Sequence, residues 1–142
     1  VVNAYNTSLT RSTPTALSAA RYNLAATSVG DYALFGGGYT GSYSAVVDAY
    51  NTSLTRSTPT ALSAARRYLA ATSVGDYALF GGGAASSAVV DAYNTSLTRS
   101  TPTALSAARY NLAATSVGDY ALFGGGYTGS DSRSAVVDAY TV

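Results

Sequence analysis

Asp31-Tyr32-Ala33-Leu34-Phe35-Gly36-Gly37-Gly38 returns unchanged at Asp76–Gly83 and again at Asp119–Gly126. The first glycines of the three copies stand 45 and 43 residues apart, a period that marks solenoids, propellers and arrays built from one repeated supersecondary unit. Tyr32 to Phe35 is bulky and apolar, and it follows a Gly30-Asp31 pair suited to a two-residue turn. The octapeptide therefore reads as the second strand of a hairpin. Its glycines end the strand, because without a Cβ they accept positive φ and let a neighbouring backbone or side chain come close. No G-K-[ST] step and no helical pattern follows them, so they do not read as a phosphate cradle.

Working outward, Val1-Val2-Asn3-Ala4-Tyr5 returns at Val46–Tyr50, Val89–Tyr93 and Val136–Tyr140, with Asp in place of Asn3 in each later copy. Valine and tyrosine favour a strand, and the Asn-Thr-Ser after Tyr5, Tyr50 and Tyr93 is turn chemistry. Leu9–Thr13 reads as a further β-stretch broken by Pro14, which suits an edge strand. Leu17–Arg21 is too short to nucleate a helix and reads as a connection. Leu24–Val29 reads as a strand of small residues, the kind that tolerates crowding against its symmetry mates.

The composition bounds the rest. The 142 residues use only twelve residue types; Glu, Lys, His, Cys, Met, Trp, Gln and Ile are absent, a bias that points to recent duplication or design. The lack of Met implies a processed product or a piece of a longer chain. Eight Arg against seven Asp give a net charge of +1, dispersed singly, so neither nucleic acid nor an anionic membrane is an expected partner. Apolar runs are too short for a membrane-spanning helix. Without Cys there is no disulfide framework, and the compartment stays undetermined. Without His, Cys or Glu, no metal, cofactor or catalytic residue is expected.

Four antiparallel strands per period, joined by short turns, make up a β-propeller blade. The repeated Arg21, the small-residue strand, Gly30-Asp31, Tyr32–Phe35 with Gly36-Gly37, and Val46–Tyr50 resemble the kelch repeat in order and spacing, over the whole chain. The chain departs from that pattern at Thr10-Arg11, where a tryptophan is usual, and at Ala33, where a tyrosine is usual. The expectation is an all-β, kelch-like propeller of one domain. Residues 1–20 supply the third and fourth strands of a composite blade, 21–65 and 66–108 two whole blades, and 109–142 the first to third strands of a composite blade. Propellers have about 4 to 8 blades, so the expected assembly is a homodimer closed into a six-bladed ring. Two chains bring one surplus third strand each, and Val1–Tyr5 is expected to yield its place to Ala135–Tyr140.

The three units differ in two loops. One follows the glycines, at 39–44, 84–87 and 127–134; the other follows the repeated arginine, where Tyr22-Asn23 and Tyr110-Asn111 give way to Arg67-Tyr68. The kelch resemblance implies that both lie on one rim, where propeller ligands bind. The candidate binding residues are Arg21, Tyr22, Tyr39, Tyr43, Arg66, Arg67, Arg109, Tyr110, Tyr127, Asp131 and Arg133. Arg21, Arg66 and Arg109 are expected to ring the channel mouth and hold an acidic peptide, or else to pair structurally with aspartates or carbonyls. Asp31, Asp76 and Asp119 read as turn residues, and Asp48, Asp91 and Asp138 as cross-strand partners of Arg11, Arg56 and Arg99. Asn6, Asn51 and Asn94 fit a glycosylation pattern that turn chemistry already explains.

Two further function classes stand beside a non-catalytic binding scaffold. One is a self-assembling structural repeat whose chains join end to end. The other is an enzyme on a propeller, of galactose-oxidase type, which needs His, or of sialidase type, which needs an acidic general acid and an S-x-D-x-G-x-T-W box. The chain has neither His nor Glu nor that box.

Overall fold

The computed structural model describes residues 1–142 as thirteen strands without a helix. They are β1 (Ala4–Tyr5), β2 (Arg11–Ser12), β3 (Ala25–Val29), β4 (Tyr32–Gly36), β5 (Val47–Tyr50), β6 (Arg56–Ser57), β7 (Ala70–Val74), β8 (Tyr77–Gly81), β9 (Val90–Tyr93), β10 (Arg99–Ser100), β11 (Ala113–Val117), β12 (Tyr120–Gly124) and β13 (Val137–Thr141). They form four antiparallel sheets: β1-β2, β3-β4-β5-β6, β7-β8-β9-β10 and β11-β12-β13. The small-residue strands are innermost, with β3 packed on β7 and β7 on β11. Each inner hairpin turns at Gly30-Asp31 or its equivalents, which puts Val29 opposite Tyr32, Val74 opposite Tyr77 and Val117 opposite Tyr120.

The outer strands are shorter than the sequence suggests. Leu9–Thr13 is a strand only at Arg11–Ser12, because the turn before it extends through Leu9. Asn6 Oδ1 accepts the amides of Ser8 and Thr10 at 3.0 and 2.9 Å, and Leu9 N–H donates to Asn6 O at 2.9 Å. An Asn side chain that satisfies two amides competes with the sheet ladder for them. Leu9, Leu54 and Leu97 consequently sit at φ 58°, 60° and 62°, a region that costs an L-residue about 1–2 kcal/mol. Leu97 recovers part of that cost by packing on the apolar cluster of the preceding sheet.

The core lies between the sheets. The first cluster joins Val29, Leu34, Val47 and Ala49 of one sheet to Leu69, Ala78, Phe80 and Tyr93 of the next, with Leu62 from the connection. The second repeats it one unit later, with Val74, Leu79, Val90 and Ala92 meeting Leu112, Ala121 and Phe123, and Leu105 in the place of Leu62. Two glycine positions let the sheets approach. A Cβ on Gly36 would stand 2.8 Å from Phe80 Cε1, and one on Gly37, at φ 72°, would stand 2.7 Å from Arg66 O. Gly81 and Gly82 repeat these contacts with Phe123 and Arg109 O.

Tyr50, Tyr93 and Tyr140 fasten each sheet to the segment that leads into it, donating to Thr15 O, Thr60 O and Thr103 O at 2.7, 2.7 and 2.8 Å. Burial, reinforced by the negative charge of Asp138, pushes the Tyr140 phenol up to about 12, and the same two causes raise Tyr50 and Tyr93. A phenol held neutral in the folded state contributes stability below its ordinary pKa of 10.0, and that contribution disappears as pH rises through the folded value. Urea midpoints should therefore hold steady up to about pH 10 and fall between there and about pH 12. A midpoint unchanged across that window would contradict these phenol anchors.

Candidate rim site

The three repeated arginines are spent inside the sheets. Arg66 and Arg109 are 1% and 0% exposed. Arg66 uses all its donors: Nε to Gly82 O, Nη1 to Asp91 and Ala64 O, Nη2 to Phe80 O and Val89 O. Arg109 reaches Gly125 O, Val136 O, Phe123 O and Asp138. Arg21 pairs with Asp48 at 3.1 Å and donates to Phe35 O; burial draws its pKa below the ordinary value, opposed by Asp48. The ring of free guanidiniums at the channel mouth is thus replaced by the structural alternative.

The partners of Asp48, Asp91 and Asp138 need correction for the same reason. Arg56 stands opposite Tyr50, and Arg99 opposite Tyr93, so in register neither is the residue directly across from its aspartate. Each aspartate instead takes the arginine that leads into its own sheet, plus the amide and hydroxyl of Ser18, Ser63 or Ser106. Only Asp91 also has its neighbour-strand arginine within reach, Arg99 Nε at 3.9 Å.

At the head of the inner strands lie Asn23, Tyr68 and Asn111 instead, in a hollow of about 250 Å³ that Leu24, Leu69 and Leu112 also line. Backbone bonds link them across the sheets: Tyr68 N–H to Asn23 O at 3.1 Å and Asn111 N–H to Tyr68 O at 2.9 Å.

The two variable loops do meet. The backbone of Tyr22 exchanges two hydrogen bonds with that of Tyr39, and Tyr110 does the same with Tyr127; Ala84 N–H donates to Arg67 O. The side chains form one continuous strip. Tyr39 stands edge-on to Tyr22 at 5.4 Å and to Tyr43 at 6.1 Å. Tyr68 lies 6.4 Å from Tyr110, which stacks on Tyr127 at 5.6 Å. Arg67 joins the two groups, its Cζ 4.5 Å from the Tyr39 ring centre, 4.7 Å from Tyr68 and 5.4 Å from Tyr43. Cation–π contacts of this kind contribute about 0.5–2 kcal/mol each.

Arg67 differs from the repeated arginines beside it. It takes part in none of the ion pairs of the chain, and its buried Nε, like those of Arg21 and Arg109, has no acceptor. Arg133 pairs through its backbone with Tyr127; it and Asp131 are exposed at the end of the strip. Tyr68 belongs to the strip although its sequence position alone did not single it out. The signal was the exchange of Tyr-Asn for Arg-Tyr in the middle unit, which moves the aromatic ring one residue along and puts a cation in its place.

No family model and no curated protein matches the sequence. Among solved structures the chain is similar to one titled "Structure of YjhT", with a TM-score of 0.81 and 15% identity over 99% of this chain. The chain spans about half the length of that structure, 49%. At this identity the likeness shows the fold alone, a β-propeller-like arrangement of repeated antiparallel sheets. As many as 124 chains of solved structures match, and a fold so widely shared assigns no activity by itself.

Proposed function

We propose that this chain is a non-catalytic binding scaffold, half of a kelch-type six-bladed ring formed by two copies, whose rim strip receives an acidic peptide or protein segment. The observation that carries the binding role is Arg67, a guanidinium held on three tyrosine rings with no carboxylate of the chain to neutralise it. Its neighbours supply flat, rigid surface at low entropy cost, which suits recognition of an extended segment. A carboxylate reaching Arg67 would form charge-assisted hydrogen bonds in a partly dehydrated setting. Support for the ring comes from the likeness to half of a longer propeller-like structure and from the interrupted outer sheets. The apolar end faces also favour a second reading, in which copies add end to end as a filament.

The probe is a short glutamate-rich peptide, titrated against tyrosine fluorescence. Arg67→Ala should weaken its binding about 10- to 100-fold, the loss of a charged hydrogen bond worth about 1.5–3 kcal/mol, while the β-sheet spectrum stays unchanged. Absence of binding to the unaltered protein at millimolar peptide, or equal binding by the variant, would overturn the rim assignment.

A further inference from the structure

Each interblade core has an outgoing half from one sheet and an incoming half from the next, and the chain carries one unfilled half of each kind. The outgoing half of the third sheet is Val117, Leu122, Val137 and Ala139. Val117 is 62% exposed where its equivalent Val74 is 5%, and Val137 is 61% exposed where Val90 is 0%. The incoming half of the first sheet is Leu17, Leu24, Ala33 and Phe35; none of these is buried, although Leu62, Leu69, Ala78 and Phe80 all are.

The sockets agree. A Cβ on Gly36 or Gly81 would stand 2.8 Å from a phenylalanine ring of the next sheet, whereas one on Gly124 would meet only Val137 Cγ2, at 3.4 Å. Gly38 and Gly83 donate to Arg66 O and Arg109 O at 2.9 and 2.7 Å; Gly126 N–H has no such acceptor in the chain. The Asn23–Tyr68–Asn111 backbone ladder ends in an unused Asn23 N–H and an unused Asn111 C=O. Leu97 packs on the first core, while its equivalents Leu54 and Leu9 are 40% and 80% exposed. The groove that matches Leu9, about 360 Å³ between Val74, Tyr77, Leu79 and Val142, is open.

We propose that a second copy of this chain completes a third interblade core, seating its first sheet on the exposed face of β11–β13, and that Asn3 decides which strand fills the shared sheet. The inference rests on the two-copy ring above and specifies its seam. Phe35 of the second copy enters the Gly124 socket, its Arg21 carbonyl accepts from Gly126, and its Asn23 amide donates to Asn111 O. Its Leu54 covers Val117 and Leu122, and its Leu9 fills the open groove. The occupant is a second copy because the seam continues the two junctions already present: the two unfilled halves are the same surfaces, one unit displaced, at opposite ends of one chain.

Two strands compete for the third place in the shared sheet, β13 and β1 of the second copy. β13 pairs with β12 over five residues, and its Asp138 accepts from buried Arg109 and from Ser106. β1 aligns Ala4 and Tyr5 with Ala139 and Tyr140, which brings Asn3 to the place of Asp138. A neutral amide there leaves the Arg109 charge without its counterion. β13 therefore stays, β2 of the second copy adds beside it with Arg11 opposite Tyr140, and Val1–Tyr5 lifts away.

The test compares the full chain with Gly124→Ala and Asn3→Asp. Gly124→Ala fits its own chain, so the circular dichroism spectrum should be retained while the dimer dissociation constant rises about 100-fold. An unchanged constant overturns the seam. Amide exchange should be fast at Val1–Tyr5 in the unaltered dimer, and Asn3→Asp should protect that segment at the expense of Val137–Thr141. Protection of Val1–Tyr5 without the substitution, or no transfer with it, overturns the role of Asn3. Peptide titration of the same samples separates the readings: loss of rim binding leaves these masses and exchange patterns untouched.

Discussion

Asp91→Ala is expected to cost about 3–5 kcal/mol, the penalty for leaving a buried charge without its partner. Asp91 is fully buried. Its Oδ2 accepts from Arg66 Nη1 at 2.9 Å and from the amide and hydroxyl of Ser63 at 3.1 Å, and its Oδ1 from Thr101. Removing it strands a guanidinium that is 1% exposed and releases the connection entering the middle sheet. Against a usual total of about 5–15 kcal/mol, the variant should melt roughly 10–15 °C lower or fail to fold. Asp138→Ala should cost less, since that carboxylate retains 18% exposure and water can replace part of what is lost. Equal effects at both positions, or a shift of a degree or two at Asp91, would contradict a buried ion pair at the centre of each sheet.

Gly82→Ala is expected to match that loss by a different route. Its φ of 70° lies where an L side chain is strained, and the added Cβ would stand 2.6 Å from Arg109 O. A carbonyl carried on the backbone cannot rotate away as a side chain can, so the third sheet must retreat as a unit. Gly83, whose amide donates to that same carbonyl at 2.7 Å, would lose its bond in the same movement. The expected loss is about 2–4 kcal/mol, left-handed strain plus overpacking, read as a lowered urea midpoint. Gly129→Ala is the control: nothing lies within 4 Å of a Cβ there, and the midpoint should not move.

The alternation of small and bulky strands around Gly-Asp turns was legible in the sequence, because each step has a local cause: β-branched and aromatic residues, a turn pair, a glycine stop. All thirteen strands and their grouping into sheets followed from it. The ends of the outer strands did not, since whether Leu9 continues the strand depends on where the Asn6 side chain turns. The arginine partners were hidden for another reason. Repetition says that Arg21, Arg66 and Arg109 do the same thing, yet not whether they point to the channel or into the sheet; only register shows Tyr50 and Tyr93 opposite Arg56 and Arg99. The variable loops were legible as the places where the units differ, whereas the clasp of Arg67 on Tyr39, Tyr43 and Tyr68 depends on distances between neighbouring units that no single repeat encodes.

The assembly is tested most directly by sedimentation equilibrium of the unaltered chain over a wide range of concentration. The expected result is a mass that settles at twice the 14.4 kDa of one chain and stays there as concentration rises. A cooperatively folded species of 14.4 kDa at micromolar concentration, or a mass that keeps growing with concentration, would contradict the closed ring.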